Sequence, residues 1–168
     1  LGIPDLESST SYSQDEILAI HDFVRRGGGL LLDEGAPSPF SEITRFAGIT
    51  WDWSPYWEYE NTSDIVRHEI TDGVETVYIG IGQEYRELFV QPPALALVRD
   101  VGIAVAVSEV GDGRVACVTC GNILQSMFGG VTRADNNILA NNIFDWLSVA
   151  PKREHDLVVR LNMPVRLE

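Results

Sequence analysis

The segment Gly27-Gly28-Gly29-Leu30-Leu31-Leu32-Asp33-Glu34 constrains what this chain can fold into more than any other stretch. Glycine tolerates the left-handed backbone in which helices end, and a short, wholly apolar run is what a strand covered on both faces requires. The residues before it read as the helix that the glycines stop. Ser13 followed by Glu16 matches a capping box, and Ile17, Ile20, Phe23 and Val24 recur at helical spacing. Helix, glycine stop and buried strand together predict an α/β domain with a parallel, doubly wound sheet.

Ser38-Pro39 predicts a second helix running through Phe40, Ile43 and Phe46 to Gly48. Residues 76–81, 88–90 and 95–98 read as short strands, with Pro92-Pro93 separating the last two. Residues 103–110 and 114–120 flank Gly111-Asp112-Gly113 and give the clearest hairpin, because glycine supplies the positive φ of such a turn. Asp135 is expected to cap a last helix with Ile138, Leu139, Ile143, Phe144 and Leu147 on its buried face. Residues 1–150 then form the domain, and 151–168 read as a linker or the first strand of a following β-rich module.

A chain of 168 residues, 45% of them hydrophobic, can bury one core without disulfides or metals. Its 25 acidic and 12 basic residues leave a formal charge of -13, a field that disfavours nucleic acid and anionic lipid headgroups. Lys152 is the only lysine, a composition that fits a salt-adapted source or a GC-rich genome. No segment approaches the ~20 apolar residues of a membrane span, and no signal-peptide pattern opens the chain, so direct membrane insertion is not expected. Both ends read as cut from a longer polypeptide.

The order of Tyr12-Ser13-Gln14-Asp15-Glu16, Phe23-Val24-Arg25-Arg26-Gly27-Gly28-Gly29, His68-Glu69-Ile70-Thr71-Asp72-Gly73-Val74, Gly111-Asp112-Gly113-Arg114-Val115 and Ala134-Asp135-Asn136-Asn137 through Asp145-Trp146-Leu147 resembles the class I glutamine amidotransferase-like superfamily. Its non-catalytic branches are the nearest in pattern: trehalose-utilisation-protein-like domains, the amidotransferase-like domain of intraflagellar-transport proteins, and domains of larger prokaryotic envelope proteins. The resemblance covers most of residues 12–148. It implies a flavodoxin-like (Rossmann-like) three-layer sandwich with a mostly parallel sheet and a C-terminal β-hairpin, its first strand and helix lying upstream of Leu1. The envelope proteins imply an extracytoplasmic setting. An active amidotransferase needs a cysteine at a sharp strand-to-helix turn and a His-x-Glu pair at the end of a later strand. Asp33-Glu34-Gly35 and Thr119-Cys120-Gly121-Asn122 stand in those places, so the resemblance implies a catalytically silent domain.

Asp33, Glu34 and Asn122 fall where open α/β sheets bind ligands; the two carboxylates would hold a cation or polarise a sugar hydroxyl, or else cap a helix and face water. Cys117 and Cys120 form a Cys-x-x-Cys pair, but odd spacing on one strand sends the thiols to opposite faces and no second ligand pair accompanies them. Cys117 reads as core, which leaves Cys120 as the one reactive thiol. His68 reads as a loop-fixing side chain, with a general base as the sharper alternative. Trp51, Trp53, Tyr56, Trp57 and Tyr59 crowd together as a belt that would anchor a protein interface, stack on sugar rings or pack on its own core. The reading that follows is a binding or assembly module within a larger protein, contacting a protein partner or a neighbouring domain of the same polypeptide, with no cofactor and no metal. A carbohydrate-active or hydrolytic enzyme using Asp33, Glu34 and His68 is the alternative, and a sugar-binding module the third.

Overall fold

A computed structural model describes residues 12–33, 37–54, 61–79, 85–119 and 123–149. Helix α1, Gln14–Arg25, starts as the capping box predicts. The Ser13 hydroxyl accepts the Glu16 amide at 3.3 Å and the Glu16 carboxylate accepts the Ser13 amide at 2.8 Å, so two free N–H groups of the first turn are satisfied. Gly27, at φ 105, releases the chain into β1, Gly29–Asp33. Helix α2, Pro37–Thr44, begins ahead of the expected Ser38-Pro39 start and ends through a 3-10 turn at Gly48, whose φ of 77 reverses the chain. Strands β2 (Ile49–Ser54), β3 (Asn61–Thr62), β4 (Asp64–Ile65), β5 (Val77–Tyr78), β6 (Tyr85–Val90), β7 (Leu95–Arg99), β8 (Ile103–Val110) and β9 (Gly113–Val118) follow, before helix α3, Asn136–Ser148.

Among the described residues, seven strands form one curled sheet in the order β1-β9-β8-β6-β2, with β7 also paired to β8 and carrying β4. Among the described residues only β1 and β9 run parallel, and the other pairings in that sheet are antiparallel. This overturns the flavodoxin-like, Rossmann-like expectation of a mostly parallel sandwich. The physical reason lies in the connections. Parallel neighbours need a crossover of about a dozen residues or more, whereas β7, β8 and β9 are joined by the short turns around Asp100–Gly102 and Gly111-Asp112, which can only fold a strand back on its neighbour.

Alternation along β9 separates two apolar clusters. Val115 and Cys117 join Val24 of α1, Phe40 and Ile43 of α2, Leu32, Ile49 and Leu88 on one face. Ala116 and Val118 join Leu139, Ile143 and Trp146 of α3, Ile70 and Val107 on the other. Leu31 packs with the second cluster and Leu30 with the first, so β1 is apolar on both faces, as its leucine run predicts. Phe23 and Phe144 depart from the buried stripes expected of them: they are 56% and 57% exposed.

Polar side chains tie the elements together. Asp135 does not cap α3 with its side chain; its carboxylate instead accepts the amides of Glu75 and Thr76 at 2.9 and 3.0 Å. Asn136, wholly buried, accepts the Tyr78 amide at 2.9 Å and donates to the Tyr78 and Gly130 carbonyls at 2.7 and 3.0 Å. Asn142 donates to the carbonyls of Ile70 and Asp72. His21 stacks on Phe46 at 4.0 Å and donates from Nε2 to the Ile43 carbonyl, linking α1 to α2.

Candidate functional site

Strand β8 outlasts β7. Leu95 pairs with Val107, and beyond that point β8 continues to Val110 with β9 as its partner. The freed margin at Ser108 and Glu109 borders a cleft of about 360 Å³, closed by Pro93, Leu95, His68 and Trp146. His68 arrives there on the residue before the 3-10 turn Glu69–Thr71. Its Nδ1 accepts the Ile70 amide at 3.2 Å, and the Thr71 hydroxyl oxygen accepts the His68 amide at 2.8 Å. A ring nitrogen that accepts carries no proton, so the neutral imidazole keeps its hydrogen on Nε2. The loop-fixing role expected of His68 is therefore present in the geometry, and Nε2 is the nitrogen left over for any ligand.

The ring of His68 meets Trp146 edge-on, with centroids 5.6 Å apart. Trp146 lies under the Arg114 guanidinium at 5.1 Å, and Arg114 donates to the Trp146 carbonyl at 2.6 Å while approaching the Glu109 carboxylate at 3.5 Å. Burial holds the His68 imidazole below its ordinary value; Glu69 and Glu109 pull it upward, and Arg114 pushes it down again. The cleft offers the His68 Nε2 hydrogen, the Glu109 carboxylate and the Ser108 hydroxyl, which is buried without a hydrogen-bond partner among the described residues, while the Arg114 guanidinium is committed to the tryptophan.

Register shows what does not converge. Arg114 pairs with Gly29 at the start of β1, and Asp33 pairs with Val118 at its end, four residues away or about 13 Å along the strand. His68, edge-on to Trp146 beside Arg114, thus stands at the opposite end of the sheet from Asp33. The expected crevice of Asp33 and His68 is not formed. Glu34, Cys120 and Asn122 lie outside the described residues, as do Tyr56, Trp57 and Tyr59. Trp53 sits on β2 opposite Arg86, but its side chain is also outside the description. Trp51 corrects the interface reading of the aromatic belt at its first member. It is 4% exposed, meets Phe40 edge-on at 5.5 Å, and has its backbone N–H and C=O both bound by the Ser41 hydroxyl. Cys117 is core as expected, and burial raises its thiol far above the ordinary value.

Among the described residues no group of three or more His, Cys, Asp and Glu side chains could hold a metal ion, and no helix is long and apolar enough to cross a membrane. What the sequence did not single out is the outer edge of β1. The Phe23 ring lies against Gly28 at its entry and the Leu147 backbone against Gly29, while Phe23 and Phe144 are both exposed; their helical spacing placed the two phenylalanines in buried stripes and hid this.

Neither a family model nor a curated protein matches this chain in sequence. Solved structures share its fold. An exo-beta-1,4-mannosidase from Opitutaceae bacterium strain TAV5 is 17% identical, with a TM-score of 0.53, over 84% of this chain and 24% of the mannosidase. A cytoplasmic protein from Salmonella typhimurium LT2 is 16% identical, with a TM-score of 0.55, over 78% of this chain and 60% of that one. A second cytoplasmic protein, from Salmonella typhimurium, is 11% identical, with a TM-score of 0.55, over 87% and 65% respectively. The chain spans about a quarter of the mannosidase and less than two thirds of the other two. At these identities the likeness is one of fold, and none of the three descriptions points to the glutamine amidotransferase-like superfamily.

Proposed function

We propose that this chain is a binding or assembly module of a larger protein, acting by contact with a neighbouring domain or protein partner rather than by turnover. One observation carries the reading: two phenylalanines on different helices, Phe23 of α1 and Phe144 of α3, are more than half exposed, and the Phe23 ring lies against Gly28 at the entry to β1. Aromatic side chains left in water are costly in a monomer and informative about contacts. The polar side chains that chemistry would need are spent on the scaffold instead, with His68 capping a turn and Asp135, Asn136 and Asn142 binding loop backbone. The test is photo-crosslinking from positions 23 and 144 in the full-length polypeptide. Crosslinks to one defined surface outside residues 12–149 are expected. Crosslinks no more frequent than from the hairpin tip at Asp112 would end the reading, as would glycoside hydrolysis that an Asp33→Asn variant abolishes.

The sugar-binding alternative has one specific foothold, the cleft of His68, Glu109, Pro93, Leu95 and Trp146. It predicts that mannose or a mannobiose shifts the His68 and Trp146 ring resonances, and that Glu109→Gln removes the effect.

A further inference from the structure

We infer that the cleft beside the start of β7 is a binding site for a small neutral polyol, whose neighbouring hydroxyls bridge His68 Nε2 and the Glu109 carboxylate and supply a partner to the Ser108 hydroxyl. The site deepens the sugar-binding alternative, whose cleft it shares, by naming the atoms that recognise the ligand. Neither Phe23 nor Phe144 lines it, so it stands or falls apart from the module reading.

Ser108 is the residue that points to a ligand. It is 2% exposed, it borders the cleft, and its hydroxyl meets no hydrogen-bond partner among the described residues. A buried hydroxyl left unpaired costs about 1–3 kcal/mol, which is why such groups in folded proteins are nearly always satisfied. Its neighbour Glu109 leaves the opposite face of β8, as consecutive residues of a strand must. Both nevertheless line the cleft, because β7 covers β8 only as far as Val107 and the margin beyond is open to either face.

The surrounding atoms select the ligand. His68 Nδ1 accepts the Ile70 amide at 3.2 Å, so its Nε2 can only donate. The Glu109 carboxylate, 67% exposed and 3.5 Å from Arg114, can only accept. A ligand that satisfies both must place an acceptor beside a donor, and adjacent hydroxyls do so while also giving to or taking from Ser108. Charged ligands fit less well. Glu109 and the net charge of -13 oppose an anion, and an ammonium group has no lone pair for His68 Nε2. Trp146 offers no stacking face, since it is 4% exposed, with the Arg114 guanidinium over its ring and His68 at its edge. That disfavours flat aromatic ligands, whereas Pro93, Leu95 and Val107 give aliphatic walls for the C–H surface of a saturated one. The volume of about 360 Å³ suits a single small molecule.

The test titrates myo-inositol into this chain and follows the His68 and Trp146 side-chain resonances. Both are expected to shift and to saturate in the millimolar range. Ser108→Ala deletes a hydroxyl that has no partner among the described residues, so it is expected to keep or raise the melting temperature while weakening binding by about fivefold or more. Glu109→Ala, at an exposed position, is expected to leave folding intact and weaken binding by about tenfold or more. No saturable shift, undiminished binding by Ser108→Ala, or equal binding of acetamide or glucuronate would overturn the inference. Shifts with methyl mannoside but none with myo-inositol would overturn it too, and would leave the sugar-binding alternative standing.

Discussion

At the scale of single residues, His68 is the side chain whose chemistry is most legible. Its Nδ1 must stay unprotonated to accept the Ile70 amide, and its burial favours the same state. The folded chain therefore holds His68 below the ordinary 6.5, while the unfolded chain does not. His21 is shifted in the same direction, chiefly by burial. A depressed folded value means that this contribution to stability is complete above 6.5 and is lost as pH falls through the folded values. Urea denaturation should thus give a lower unfolding free energy at roughly pH 5 than at pH 7.5, and a His68→Asn variant should show a shallower dependence. Cys117 offers a second check. A buried thiol held in its protonated form is a poor nucleophile, so iodoacetamide followed by peptide mapping should leave Cys117 unmodified in native protein and label it in urea.

Between elements, stability depends on a few polar side chains that reach across long sequence separations. Asn136 alone joins α3 to β5 and to the turn before α3. Replacing it with alanine strands buried backbone groups, and a loss of about 3 kcal/mol is expected in denaturation experiments. Ser13→Ala, which removes a cap at an exposed helix start, should cost about 1 kcal/mol. Gly113 closes the β8–β9 hairpin against α1, and a Cβ there would run into the Val24 carbonyl oxygen. Gly113→Ala is therefore expected to cost more than Ser13→Ala, although it adds only one methyl group. Local signals reached the capping box, the glycine stops and the hairpin because each is fixed by neighbours within a few residues. Asp135 shows the limit: a sequence that reads as a helix cap spends its carboxylate on Glu75 and Thr76, about 60 positions away.

For the whole molecule, the formal charge of -13 implies self-repulsion that salt should relieve. The melting temperature is expected to rise as sodium chloride increases from low ionic strength; a fall would show that attractive surface pairs dominate instead. Hydrophobic periodicity determined most helices and strands, their caps and the two-faced burial of β1, because those depend on local backbone preference and on which side chains avoid water. The belt from Trp51 to Tyr59 was legible as aromatic, yet burial of Trp51 against Phe40 depended on how α2 docks on β2. Periodicity could not determine strand order or direction, since an apolar run is compatible with parallel and antiparallel neighbours alike. Tertiary pairing decided both, making the sheet mostly antiparallel, placing Asp33 and His68 at opposite ends, and leaving Phe23 and Phe144 exposed on their helices. These are properties of distances between residues far apart in the chain, which a one-dimensional pattern does not contain.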